Sequence, residues 1–534
     1  MKKRIISTIL VSAMLISLLV GCADSNGNVD APPNDNTPSN GTSTPDTSPP
    51  DVVATGDLER VDLIFYVMGD PPGDQQVVED AINEKLLERL NTTITFRFST
   101  WTDFQQKYVN ELTIGDVDLI YTANWLDYGI FAHAGAFLEL DDLLDSYAPA
   151  LKAEVGHDML NMMRVGGDIF AIPNLWPEYV PLGIDYREDL RQRFNLPRPN
   201  SLENMETFFQ GVMDNMPDQQ ILRPTADDMG TSLADAFDTG HLFLIKYPWV
   251  SPDMPYGLKA NNDTPAVIYD YWWSQDFVDD MKLMKHWADL GFWSRSAIGD
   301  TRDDDTYKNG LAIALISGQN PNKHTTNVDD FADLNPDWIS EYIAYGEITG
   351  AMYPAHATQN ATAIVRGSRN PERAIMVLEY IMTDAELNKL VQCGIEGVHY
   401  NMVDGFYVNI SDAFPYEAFN TWNLRVDEFK LPQLSDKLLD EMFARYDEIA
   451  AQTRFPRVNI FGGFSENYEN YQVERIAIRN VMTQFLLPLQ AGLVDDVEAA
   501  VDEFRSALQT AGIDKARDGF REQWLAYCEE FGYN

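Results

Sequence analysis

The chain has 534 residues and a formal charge of −44, from 83 acidic against 39 basic side chains. Such a surface repels nucleic acid and anionic headgroups, so neither is expected as a partner. With 45% hydrophobic and 12% aromatic residues it can bury more than one core, and its three cysteines are too few for a disulfide scaffold.

Met1-Lys2-Lys3-Arg4 precedes an apolar run from Ile5 to Val20 that is too short for an ordinary transmembrane helix. Positive residues, a short apolar segment and small residues before a cysteine are the layout of a secretory signal. Leu19-Val20-Gly21-Cys22 resembles a bacterial lipobox, which implies cleavage before Cys22 and lipidation of its thiol; the alternative is an ordinary signal with an incidental cysteine. Two or more acyl chains hold a protein on a bilayer where one anchors only marginally. From Ala23 to Asp57 the chain is mostly Asp, Asn, Ser, Thr, Gly and Pro without an aromatic residue, and so reads as a disordered spacer. Its mean reach is about 30 Å, enough to lift a folded body clear of the headgroups.

The body opens with Val61–Met68, a β-favouring run ended by Gly69-Asp70-Pro71-Pro72-Gly73. Next, Val77, Val78, Ile82, Leu86, Leu87 and Leu90 fall on one face of a helix that Asp74 could cap. Thr92 to Phe98 alternates as a second strand, a helix follows over about 103–114, and Val117–Tyr121 reads as a third strand. This alternation predicts an α/β domain with a largely parallel sheet. Gly166 to Asn174 is a turn and short strand, and the Pro/Gly-broken stretch to Leu190 suits a crossing between two lobes. Residues 203–305 mix helical and strand-like pieces, including Tyr271-Trp272-Trp273 and a helix near 277–290. Residues 308–318 hold a loop and buried strand, 345–362 form a second broken crossing, and a helix follows near 370–383. Toward the end, Val494, Val497, Val501, Phe504 and Leu508 form a stripe at helical spacing, and Ala511-Gly512-Ile513-Asp514 stops that helix and starts another.

In open parallel sheets ligands bind outside the carboxyl ends of the strands. Those ends are Gly69-Asp70, Ser99-Thr100-Trp101 and Thr122-Ala123-Asn124-Trp125. A tryptophan there is costly unless covered, and a flat indole suits the apolar face of a sugar ring; the alternative is packing under neighbouring loops. The seven histidines are scattered with no i, i+4 pair, so neither a metal centre nor a cofactor is expected. Asp303-Asp304-Asp305 lacks the ligand alternation of an EF-hand and reads as a solvated acidic loop.

Several stretches together resemble the extracellular solute-binding lipoproteins of bacterial ABC importers, in the large Gram-positive branch assigned to carbohydrate uptake. Beside the lipobox these are residues 115–125, Ala134 to Leu144, Gly167 to Pro173, Ser368 to Ala374, Gly394 to Tyr400 and Leu508 to Lys515. The resemblance implies a periplasmic-binding-protein-like type II fold: two α/β lobes joined by a hinge, with additional C-terminal helices. It also implies a carbohydrate held in the cleft and ABC permease transmembrane subunits as the partner, and a monomer is expected. The expected division is signal 1–21, lipidated Cys22 and linker 22–57, first lobe 58–180, second lobe 181–345, a return to the first lobe 346–415, and a helical region 416–534 packing on both.

The family carries no universal set of ligand residues, so the candidates rest on position and chemistry. Asp70, Trp101, Asn124, Trp125, Trp176, Glu178, Tyr186, Arg187, Trp272 and Trp273 combine stacking surfaces with hydroxyl-reading groups. Glu396 could reach the cleft or pin a hinge turn. A peptide or other small solute is the alternative ligand. A secreted glycoside hydrolase is the alternative activity, but with 83 acidic residues some carboxylate pair always looks suitable. A surface sensor or adhesion component would use the same fold.

Overall fold

A computed structural model describes residues 58–100, 104–114, 116–222, 246, 254–299, 306–316, 320–433, 435–452 and 458–533. Cys22, Trp101 and the acidic run 303–305 lie outside them.

The run Val61–Met68 is a strand because its apolar side chains are wanted on both faces: Leu63, Phe65, Tyr66, Val67 and Met68 are all fully buried. It pairs in parallel with Thr92–Ser99 on one side and Leu119–Thr122 on the other. Ala361–Ile364 then adds antiparallel to Leu119–Thr122, and Ala171–Pro173 adds antiparallel to it. Four of these five strands thus run the same way, in the largely parallel arrangement expected, and Ala361–Ile364 runs against them. Ala361–Ile364 enters from the second lobe and must run away from it, against the strands that lead toward it.

Helix Gln75–Leu90 covers this sheet with Val78, Ile82, Leu86 and Leu90, a single i, i+4 row. Val77 and Leu87, expected on the same face, flank the row and are exposed. Asp74 stands at the helix start without a side-chain cap; its carboxylate instead faces Nε2 of the buried His399 at 3.3 Å. Helices Pro149–Met162, Pro371–Thr383 and Ala385–Cys393 complete the first core, which also takes Phe414, Phe419, Leu424 and Val426.

A second core surrounds an antiparallel sheet in the order Ala314–Leu315, Gly183–Arg187, Ser340–Ala344. Its helices include Leu202–Asn215 and Gln275–Leu290, whose starts are capped by Ser201 and Ser274. The C-terminal helices Val497–Thr510 and Ile513–Glu530 lie in this same core, contributing Val497, Val501, Phe504, Leu508, Phe520 and Trp524. Gly512, at φ 82°, makes the left-handed turn between them that a side chain would strain.

Three chain segments join the cores. In the first sheet Pro173 is paired with Ala361, and in the second Gly183 is paired with Ala344. The segments 174–182 and 345–360 thus leave neighbouring strands and arrive at neighbouring strands. The third runs from Phe429 through helix Asp436–Ala450 to Ile460. Its Met442, Tyr446 and Ala450 pack with Tyr179, Tyr342 and Met352 in a small cluster at the crossing. Cys393 and Cys528 are both buried and form no disulfide, the latter lying in the second core. No described helix is long and apolar enough to cross a membrane.

Candidate functional site

The strand ends of the first sheet at Gly69, Thr122 and Pro173, and the start of Ala361–Ile364, share one edge. The crossing segments leave from there, so the side chains just past these ends lie between the two sheets.

Glu178 is the hub of this edge. Asn360, one residue before the first-lobe strand Ala361–Ile364, donates Nδ2 to Glu178 Oε2 at 3.0 Å. Asn322 donates Nδ2 to Oε1 at 3.1 Å from the first turn of helix Pro321–Leu334. That helix belongs to the second lobe, where His324 and Asn327 hold Asp185 of the central strand at 2.5 and 3.0 Å. One carboxylate therefore takes amide hydrogens from both lobes. Arg425 Nη1 stands 3.7 Å from Glu178 Oε1 while its guanidinium is gripped by Glu417 through two bonds of 2.5 Å.

Burial raises the Glu178 carboxyl above its ordinary range, and the Arg425 charge works against that rise. Burial disfavours the Arg425 cation, but Glu417 and Glu178 outweigh it and push its pKa up. The group is one cation among two carboxylates, each with a hydrogen-bond or ionic partner, as buried charge requires.

The half-buried Trp176 carries Arg425 5.4 Å and Lys430 Nζ 4.7 Å from its ring centre. Behind it, a gap bounded by Gln392, Cys393, Tyr416 and Leu431 has room for about one water molecule. Asn124 and Trp125 follow the end of Leu119–Thr122. Asn124 Oδ1 accepts from the Trp125 amide at 2.7 Å, and the indole Nε1 donates to the Gln359 carbonyl at 2.9 Å. Trp125 is half-buried with its ring 6.0 Å from that of Tyr121, whose hydroxyl bonds Asn360 Oδ1. A backbone and amide network therefore links Trp125 to Glu178. Asp70 is exposed at the end of Val61–Met68.

Four expected residues lie elsewhere. Tyr186 is fully buried in the second core, edge-on to Phe208 at 5.6 Å and bonded to Glu341. Arg187 is clamped to Asp189 at 2.7 and 2.8 Å with its guanidinium 4.0 Å over Trp338. Trp272 packs against Phe504, and Trp273 lies under Arg517 at 4.2 Å. An alternating strand and an aromatic pair look alike in sequence whether they face a cleft or a core; Phe208, Asp189 and Trp338 decide it for the strand, and the C-terminal helices for the tryptophans. Glu396 is exposed on the loop after helix Ala385–Cys393. The turn there is held by His399, whose Nδ1 accepts from the Ile395 amide at 2.9 Å, not by the Glu396 carboxylate.

Arg425, Asn322 and Asn360 were not singled out in the sequence. The one local sign was Asn320-Pro321, a helix-start pair that fixes where Asn322 projects: Asn320 caps the Lys323 amide at 3.0 Å. Among the described residues no cluster of His, Cys, Asp and Glu could hold a metal ion.

Residues 460–529 match a family model described as "Domain of unknown function (DUF3502)". A protein of Streptococcus pneumoniae serotype 4 (strain ATCC BAA-334 / TIGR4), described as a carbohydrate ABC transporter substrate-binding protein, is 20% identical over 462 residues, covering 84% of this chain and 87% of that protein. Among solved structures, the N-glycan transport solute binding protein from Streptococcus pneumoniae, in complex with Man1GlcNAc, matches with a TM-score of 0.66 at 15% identity, over 88% of this chain and all of that one (100%). The alginate-binding protein AlgQ2 without calcium ion matches at a TM-score of 0.61 and 16% identity, over 88% and 98% of the two chains. The S. pneumoniae ABC-transporter substrate binding protein FusA, in complex with kestose, matches at 0.58 and 10% identity, over 88% and 100%. The fold is thus the type II solute-binding fold, two lobes with additional C-terminal helices. The named similarities span nearly the whole folded body.

Proposed function

We propose that this protein captures a carbohydrate, an oligosaccharide, between its two lobes and hands it unchanged to the permease of an ABC importer. The observation that carries this reading is the crossing itself. A carboxylate shared by amides from both lobes, with half-buried tryptophans beside it, offers a polyol both hydrogen-bond acceptors and apolar faces. The curated relative that matches over most of the chain is described as a carbohydrate ABC transporter substrate-binding protein, and two of the solved structures are complexes with Man1GlcNAc and with kestose. The ligand residues of this proposal are Asp70, Asn124, Trp125, Trp176 and Glu178, joined by Asn322, Asn360 and Arg425. Tyr186, Arg187, Trp272 and Trp273 are left to packing, and Glu396 to the surface.

In this scheme Cys22 carries the lipid that moors the mature chain, as a monomer, to the outer face of the cell membrane. The first lobe comprises 58–180 and the return 346–415; the second comprises 181–345, with the C-terminal region on both. Ligand drives closure only through contacts made in the shut state, because a ligand that binds both states equally shifts nothing. Titration calorimetry and tryptophan fluorescence against mannosyl, chitin, fructan and uronate oligosaccharides test the assignment. Heat and a fluorescence change with at least one are expected. Silence across the panel together with binding of peptides would overturn it, and turnover of a labelled oligosaccharide would make the protein an enzyme.

A further inference from the structure

The C-terminal body is built into the second lobe yet touches the first. Phe461 lies flat on Trp524 with ring centres 4.9 Å apart, and Tyr527 donates its hydroxyl to the Ile460 carbonyl at 2.8 Å. Both contacts belong to the second core. The loop after Phe461 turns toward the other lobe. A Cβ on Gly462 would sit 2.6 Å from His356 Cβ and 2.7 Å from Asn124 Nδ2, so only glycine passes. Thr358 Oγ1 secures that loop to the second crossing by donating to the Gly462 carbonyl at 2.6 Å.

Farther along, Ser465 occupies the place of a side chain on Gly129. A Cβ on Gly129 would lie 1.4 Å from Ser465 Oγ and 2.1 Å from its Cβ. Gly129 stands in the first-lobe helix Tyr128–His133, shortly after Asn124, and its φ is not positive. The backbone would accept any residue there; the neighbour from the other lobe does not. Close-packed surfaces pass such a contact on as a displacement because there is no free volume to absorb it.

We propose that Gly129 and Ser465 are a positioning pair: a stop through which the C-terminal body sets the angle between the lobes, and with it the width of the gap at Asn124 and Trp125. This rests on the two-lobe binding reading above, but it is tested without ligand. Spin labels at Asp158→Cys in the first lobe and Arg295→Cys in the second, both strongly exposed, report the interlobe distance in the mature protein by pulsed dipolar spectroscopy. The two native thiols are buried and do not compete for label.

Gly129→Ala should displace the mean distance of the ligand-free protein. Adding Ser465→Gly leaves the Ser465 Cα 3.4 Å from the new methyl, an ordinary contact, and should return the distance to its wild-type value. Ser465→Gly alone, which removes the stop and keeps Gly129, should broaden the distribution. An unchanged distance in Gly129→Ala, a displacement that persists in the double variant, or an unchanged distribution in Ser465→Gly would each overturn the proposal. Should Gly129→Ala not fold, Ser465→Gly alone decides. A protein that shows these shifts but binds no sugar would remove the carbohydrate assignment and leave the stop.

Discussion

Glu178 is bonded by Asn322 and Asn360 from opposite sides, which makes it sensitive to a change of charge without a change of shape. In Glu178→Gln the new amide must turn an N–H toward one of the two amide donors, leaving a buried donor unpaired at a cost of about 1–3 kcal/mol. Urea unfolding should show that loss as a lower midpoint with an unaltered slope. His356 supplies a second test. It is buried beside Gly463, and burial pushes its pKa down to about 4. The unfolded chain takes up this proton near its ordinary pKa of about 6.5 while the folded one refuses it. The stability that neutral His356 provides is therefore complete above about pH 6.5 and drains away as pH falls toward 4, by about 3 kcal/mol in all. Between pH 7 and pH 4, His356→Gln should lose less stability than the wild type by about that amount, measured by urea unfolding of both. His356 is not conspicuous in the sequence, being one of seven scattered histidines. Trp176 and Glu178 draw notice because they follow a strand in a proline-broken stretch, but Arg425 and the two asparagines come to Glu178 from distant parts of the chain. A lone asparagine carries no pattern that says which carboxylate it will meet.

At the scale of elements, periodicity was the dependable signal where one side of a helix faces a core. Val497, Val501, Phe504 and Leu508 recur at helical spacing, and all four are buried. Their spacing could not say which core they enter. Phe504 meets Trp272 at 5.2 Å and Phe277 at 5.9 Å, so the C-terminal helix completes the second lobe and, in doing so, covers the tryptophan that looked like a ligand platform. Phe504→Ala should cost about 3–5 kcal/mol, as deletion of a fully buried ring does, seen as a lower thermal midpoint of the whole folded body. At the start of the same helix Asp496 accepts from the Ala499 amide at 3.0 Å, and Asp496→Ala should cost about 1 kcal/mol by chemical denaturation. The stop at Gly512 was legible from turn chemistry, while the cap expected of Asp74 is not made and those of Ser201 and Ser274 emerge in the structure. The direction of Ala361–Ile364 was not legible, because it depends on which lobe the chain is returning from.

In the whole molecule, each lobe is assembled from pieces that are far apart along the chain. The first core draws on Leu58 to Leu175 and again on Ala357 to Phe429, and the second on Leu182 to Ile348 and again on Ile460 to Tyr533. Occupation of the gap by ligand should therefore stabilise both cores together, raising a single thermal midpoint; at a ligand concentration of 100 Kd the gain is about 2.7 kcal/mol. Two midpoints that respond separately would contradict a site shared by the lobes. The interleaving also bears on how the chain is born. Ala361–Ile364 is inserted between Leu119–Thr122 and Ala171–Pro173, so the first sheet lacks an interior strand until the strands of the second sheet have been made. Pairings of such long sequence separation form slowly. Until that strand arrives, Leu119–Thr122 and Ala171–Pro173 have no partner between them, so the first lobe should close late in folding.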